Sequence, residues 1–142
     1  MELRTPPDEM IRIQPDRWTE PFWNAAAEHR LVCARCSDCG RYRLPPGPFC
    51  PDCRSQAVEW PELAGRGTIF TYTVVHHPVA PALREAVPYA VAAVTLPDAP
   101  GARLIGNVVG IDSEALDVGL AVQVEWADIR EGVAIPRFRP VG

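Results

Sequence analysis

Cys36-Ser37-Asp38-Cys39 and Cys50-Pro51-Asp52-Cys53 form two Cys-x-x-Cys pairs with ten residues between them, and Gly40 follows the first directly. Each pair makes a tight turn that aims two sulfurs to one side, so four thiolates can enclose one tetrahedral metal ion. Four sulfurs close the coordination sphere and leave no position for an activated water. The expected metal is therefore a structural Zn2+ held by Cys36, Cys39, Cys50 and Cys53. Two disulfides are the competing use of such pairs, but they belong to oxidising compartments. Met1-Glu2-Leu3-Arg4-Thr5 lacks the apolar stretch of a secretory signal, so a cytoplasmic, thiol-reducing location is expected. Cys33 adds a fifth thiol three residues before Cys36 and reads as a small apolar residue ending a strand, with ligation the alternative.

Other chemistry is sparse. His76-His77 are adjacent, and neighbours on a strand point to opposite faces, so they cannot share one ion without a bulge. They fit a strand end or a partner contact better than a catalytic pair. No GxSxG, HExxH, P-loop or GxGxxG pattern is present. All 14 basic residues are arginine, which removes lysine as a Schiff-base former or general base. The net charge of −4 argues against a general polyanion binder. Between residues 30 and 54 the balance reverses: Arg30, Arg35, Arg41, Arg43 and Arg54 face only Asp38 and Asp52, a local +3. A tetrathiolate zinc brings that segment to about +1. Arg35, Arg41, Arg43 and Arg54 are thus candidate partners for phosphates, because guanidinium forks donate paired hydrogen bonds to them; solvated surface charges, or pairing with Asp38 and Asp52, are the alternative.

The elements that position these groups follow from pattern. Residues 1–30 read as a proline-containing arm and a short amphipathic helix. Thr19-Glu20-Pro21 supplies the capping hydroxyl, first-turn acid and early proline, and Phe22, Trp23, Ala26 and Ala27 form the apolar face. Residues 31–60 are the metal ribbon, in which Pro45-Pro46-Gly47-Pro48 bans helix. Residues 61–142 are strands: 66–76 with Phe70, Tyr72 and Val74 on one face, then 88–96, 103–109, 120–127 and 133–138. Pro136 restricts the last to an edge or bulge, and Asp112–Leu116 suggests one helical turn between the third and fourth. The expected fold is mainly β: a short N-terminal helix, a four-cysteine zinc ribbon and a five-stranded OB-type barrel. No apolar run is long enough to span a membrane.

The chain resembles the OB-fold, acyl-CoA-associated proteins with an N-terminal rubredoxin-like zinc ribbon, catalogued as domain of unknown function thirty-five. The resemblance runs from Pro21 to Pro140 and rests on Pro21-Phe22-Trp23, Leu31, Cys36-x-x-Cys39-Gly40, Pro45-Pro46 and Cys50-Pro51-x-Cys53. It continues through Gly65-x-Gly67, Tyr72–Pro78, Pro88-Tyr89, Val118-Gly119-Leu120-x-Val122 and Pro136-x-Phe138-Arg139-Pro140. It implies a non-catalytic subunit that supports a thiolase-superfamily enzyme, a thiolase or aldolase, on acyl-CoA substrates, including steroid or lipid side-chain degradation. The acyl-CoA would be bound in the complex, with neither nucleic acid nor membrane as partner. Trp23 and Phe138 are the candidate aromatic anchors of the partner interface. Arg54 departs from the pattern, standing where glycine often follows the last cysteine, and suggests a different turn there. Two other classes remain at this point. An OB barrel with aromatic platforms can bind single-stranded nucleic acid, and rubredoxin-like cysteines can hold redox iron.

Overall fold

A computed structural model describes residues 1–142. One α-helix, α1 (Glu20–Ala27), precedes five short ribbon-region strands, β1 (Leu31–Val32), β2 (Ala34–Cys36), β3 (Tyr42–Arg43), β4 (Val58–Glu59) and β5 (Glu62–Leu63). Five longer strands follow: β6 (Arg66–Val75), β7 (Tyr89–Thr95), β8 (Arg103–Val108), β9 (Ala121–Arg130) and β10 (Val133–Pro140). A 3-10 turn at Ser113–Ala115 falls between β8 and β9, as the Asp112–Leu116 pattern predicts.

The long strands close a barrel in the order β10-β8-β7-β6-β9. Neighbours are antiparallel except β10 and β8, which meet in parallel at Phe138 and Val108. This is the OB-type barrel expected from the sequence. β7, and β10 as far as Arg139, alternate between buried and half-buried or exposed positions, the mark of a strand with one face on the core. Pro136 lies within β10 opposite Trp126 of β9, on the strand that closes the barrel by a single parallel pairing.

Closure demands close approach. A Cβ on Gly67 would stand 2.5 Å from the Thr95 carbonyl oxygen and 2.5 Å from Val94 Cγ1, where β6 passes from pairing with β7 to pairing with β9. A Cβ on Gly106 would stand 3.0 Å from the Phe138 ring and 3.1 Å from the Pro136 carbonyl oxygen. Neither residue can carry a side chain without moving the strand opposite.

β6 departs from the sequence expectation. Its register shifts between Ile69 and Thr71. This bulge buries Ile69, leaves Phe70 51% exposed on the outside, and turns Tyr72 and Val74 back against the core. Phe70 therefore does not share a face with Tyr72 and Val74, because an extra residue in a strand breaks its period of two. The helix also differs in phase. Phe22, Ala25 and Ala26 are buried, Trp23 is half-buried and Ala27 is exposed. Its entry is fixed by Asp16 rather than by the Thr19 hydroxyl: Asp16 Oδ1 accepts the N–H groups of Trp18 (2.8 Å) and Thr19 (2.9 Å), while Thr19 Oγ1 accepts the Asp16 N–H (3.0 Å).

The arm is tied to the barrel. Leu3 is buried, Glu2 and Arg4 bridge to Asp112 and Tyr89, and the N-terminal ammonium donates to Glu114 at 2.8 Å. One cluster of 17 buried residues runs from Leu3 and Phe22 through Leu31, Cys33 and Leu63 into the barrel, so arm, helix, ribbon base and barrel share a single core. No helix is long and apolar enough to cross a membrane.

Gly67→Ala is expected to lower unfolding stability by about 1–3 kcal/mol, the scale of overpacking a filled interior, whereas Gly101→Ala, with open space around its Cβ position, loses only the smaller amount due to its left-handed backbone. Urea midpoints of the two variants and the parent check this ordering.

Candidate metal centre

The ribbon sheet has the order β3-β2-β4, and β1 pairs with β5 at its base. Two knuckles project from it with the same backbone design. In the first, the Gly40 N–H donates to the Cys36 carbonyl (2.9 Å) and the Cys36 N–H to the Arg41 carbonyl (2.8 Å). In the second, the Arg54 N–H donates to the Cys50 carbonyl (2.9 Å) and the Cys50 N–H to the Ser55 carbonyl (2.8 Å). Both turns need a left-handed residue after the second cysteine: Gly40 has φ 81° and Arg54 has φ 64°. Arg54 thus does not change the turn, contrary to the expectation from sequence. It adopts the glycine conformation against the steric preference of a residue with a Cβ.

The knuckles bring the four sulfurs of Cys36, Cys39, Cys50 and Cys53 within 4.8 Å of one another. The Cys36–Cys53 and Cys39–Cys50 separations are 3.5 Å, far beyond a disulfide bond. A tetrahedron with zinc–sulfur bonds of about 2.3 Å has edges of about 3.8 Å, between the 3.5 Å separations and the 4.8 Å outer limit, so the donor set fits a zinc ion.

The electrostatics call for the same cation. The Cys53 backbone N–H, joined by that of Asp52, pulls the Cys50 thiol down to about 6 against the effect of burial. The Cys39 N–H, helped by that of Asp38, lowers Cys36 likewise. At Cys39 the Arg41 N–H acts downward too, but the Cys50 sulfur and burial outweigh it and push the thiol up to about 12. At Cys53 the lowering by the Ser55 N–H is overcome chiefly by the Cys36 sulfur. Two thiols are primed to ionise and two are held back by their neighbours. A divalent cation removes that conflict by making every ionisation favourable.

Cys33 lies outside the cluster. It is fully buried in the shared core, and burial raises its thiol to about 11. It is an inert packing residue rather than a ligand.

The phosphate candidates separate into three kinds. Arg43 is buried, with Nε donating to the Gly47 carbonyl at 3.2 Å. It is not a surface charge, which corrects its expected role. Arg35 donates to Glu59 at 3.1 Å and stacks over Tyr42, and Arg41 is paired with Asp52. Arg54 is exposed, and its guanidinium has no hydrogen-bond or ion-pair partner. Of the two interface candidates, Phe138 is fully buried in the barrel. It closes the core against Gly106 and offers no docking surface, because β10 turns its alternate residues inward. Trp23 is half-buried and lines an open groove beside the barrel. His76 and His77 are both exposed just past the end of β6. The third histidine, His29, stacks on Trp126 and contacts Asp128 through Nε2 at 2.7 Å, fastening the end of α1 to β9.

Sequence reasoning missed that groove, of about 730 Å³. Its lining includes Ile11 and Ile13 of the arm, Trp23 of α1, Pro45 of the ribbon loop, and Phe70 and Ile105 of the barrel. Tyr72, by contrast, points inward and donates its hydroxyl to the Leu116 carbonyl at 3.0 Å. The paired Phe70–Tyr72 platform that single-strand binding would need is not formed.

Comparison with known proteins agrees with this architecture. A family model described as the ChsH2 rubredoxin-like zinc ribbon domain matches residues 23–59, and one described as the ChsH2 C-terminal OB-fold domain matches residues 60–127. A probable enoyl-CoA hydratase alpha subunit of Thermomonospora curvata is 42% identical over 120 residues, covering 84% of this chain. This chain spans 36% of that relative's length. A DUF35 domain-containing scaffold protein of Methanocaldococcus jannaschii is 35% identical over 119 residues, 82% of each chain. A chain of the solved Ltp2-ChsH2(DUF35) aldolase superposes with a TM-score of 0.81 at 39% identity, covering 91% of this chain and 98% of that one.

Two outcomes are expected at the metal centre. Cys36→Ser should lose the metal and loosen the ribbon, while Cys33→Ser should keep one equivalent of zinc, as measured by elemental analysis of the purified proteins. Arg54→Gly should raise the thermal midpoint, because it relieves a left-handed conformation disfavoured by about 1–2 kcal/mol; an unchanged or lower midpoint would show that the arginine side chain stabilises the turn in another way.

Proposed function

Because this chain belongs to the DUF35 family of ChsH2-type zinc-ribbon and OB-fold proteins, we propose that it is a non-catalytic accessory subunit that binds and supports a thiolase-like enzyme acting on acyl-CoA substrates. The observation that carries this reading is the near-complete match, at 39% identity, to a chain of the Ltp2-ChsH2(DUF35) aldolase. The chemistry of the chain agrees with it. Four sulfurs fill a tetrahedral zinc, so the metal braces the ribbon instead of activating water. No histidine is hydrogen-bonded to a serine, threonine or cysteine: His29 contacts Asp128, and His76 and His77 are exposed beyond β6.

The partner in this reading is a thiolase or aldolase in the cytoplasm, with lipid or steroid side-chain acyl groups as its substrates and no nucleic acid involved. Coenzyme A carries phosphates that must be neutralised within the complex. Arg54, exposed and unpaired on the second knuckle, is the ribbon residue best suited to meet them, and Arg41 can join it by exchanging Asp52 for phosphate.

The purified chain is expected to turn over no acyl-CoA alone and to raise the activity or stability of a thiolase-superfamily subunit when the two are co-expressed. Arg54→Ala should weaken acyl-CoA binding to the complex by roughly 1–3 kcal/mol, with zinc content unchanged and with less loss for an analogue truncated at the pantetheine. Turnover by the isolated chain, together with a partner indifferent to its presence, would overturn the reading.

A further inference from the structure

We propose that the groove between the arm, α1, the Pro45–Pro46 loop and the outer face of β6–β8 is the docking site for an apolar segment of the thiolase-like subunit that presents an aspartate or glutamate to Arg103. This rests on the accessory-subunit reading and names the surface and the partner chemistry within it.

Three features of the groove argue for that occupant. The first is exposed apolar area in one place. Ile105 is 68% exposed and Phe70 is 51% exposed, and both line the groove with the half-buried Trp23. Large side chains left this wet at a concave site mark surfaces that are covered in the working state. The second is the bulge between Ile69 and Thr71. A regular strand would bring the side chain at position 70 into phase with Tyr72 and Val74; the extra residue instead aims Phe70 outward, and bulges commonly re-aim a side chain in this way.

The third feature is charge. The Arg103 guanidinium lies 3.7 Å above the Phe70 ring and has no ion-pair or hydrogen-bond partner. No aspartate or glutamate lines the groove, although the chain carries 18 acidic residues against 14 basic ones. An unpaired cation held over an aromatic ring within an acid-free apolar site complements a carboxylate set among apolar side chains. Trp and Arg with apolar neighbours are also the side chains that dominate binding energy at protein interfaces. Ile105 and Phe70 stand at the surface and not inside a closed cavity, so a partner surface covers them more completely than a free small molecule would.

The walls of the site are already assembled. Leu3 anchors the arm in the core, α1 packs against β10, and the ribbon base is part of the same core cluster. Docking therefore orders little chain and loses little entropy, which favours affinity.

The test measures affinity of the full-length chain for the purified Ltp2 subunit of the related aldolase by calorimetry. Ile105→Glu and Arg103→Glu should each weaken binding by about tenfold or more. Val79→Glu, at a residue 79% exposed outside the groove, should leave it within about twofold, the range of energetically neutral contacts. Unchanged zinc content and thermal midpoint show that each variant is folded. Tight binding by the parent chain with full retention in both groove variants would overturn the docking site and leave the accessory reading intact. No binding by the parent chain would overturn both. Sedimentation showing a self-associated parent that Ile105→Glu disperses would assign the groove to a second copy and overturn the proposal. So would direct binding of coenzyme A or of a thymidine oligonucleotide to the isolated chain that Phe70→Ala abolishes.

Discussion

Four sulfurs held within 4.8 Å of one another are unstable as a group of free thiols. Backbone N–H groups favour ionisation at Cys36 and Cys50, while neighbouring sulfurs oppose it at Cys39 and Cys53. A tetrahedral divalent cation turns that repulsion into four bonds. Much follows from this one constraint. The ribbon strands are only two or three residues long, too short to hold together by pairing alone. The metal fixes the separation of the knuckles, and the knuckles bracket the segment containing Pro45 and Pro46, which form one wall of the groove. The metal thus acts on the groove through the backbone, without touching it.

The barrel supplies the opposite wall by a different kind of constraint. Two glycines, Gly67 and Gly106, allow strands to approach where any side chain would collide. Phe138 fills the space this creates on the inner side, while the bulge in β6 sends Phe70 to the outer side. Inner and outer faces are set together: tight closure fixes which positions pack, and the one interruption of the period decides which aromatic is left outside.

The metal centre was legible in the sequence because its information is local. Each cysteine pair lies within one turn, and two pairs at that spacing specify four donors. The barrel strands were legible because β-branched and aromatic residues alternate along them. The bulge was not, since Phe70, Tyr72 and Val74 keep a perfect period of two on paper and only the pairing register with β7 breaks it. Phe138 was misread for a related reason: alternation shows that a strand has two faces but not which of them meets the core. The arginines were legible in part. Asp52 claims Arg41, a pairing within the ribbon that the sequence offered, but Glu59 claims Arg35 and burial removes Arg43, and no local pattern encodes those. The groove is the extreme case, because residues between positions 6 and 136 build it together. Its parts look like unrelated surface residues until the shared core brings them side by side.

That shared core bears on how an accessory subunit works. Zinc ribbon and barrel often occur as separate modules, and joined by a flexible linker they would dock independently. Here β1 pairs with β5 across the ribbon base, Leu31, Cys33 and Leu63 belong to the barrel's core cluster, and His29 ties the end of the helix to β9. A partner that grips the groove therefore also fixes the position of the metal knuckles. Any charge those knuckles carry, Arg54 above all, is delivered at a set place relative to the partner, with no further ordering required. On the accessory-subunit reading proposed above, a rigid adapter needs no catalytic group of its own. In that reading it contributes by geometry, with the metal site bracing the ribbon and His29 bracing the end of the helix against β9.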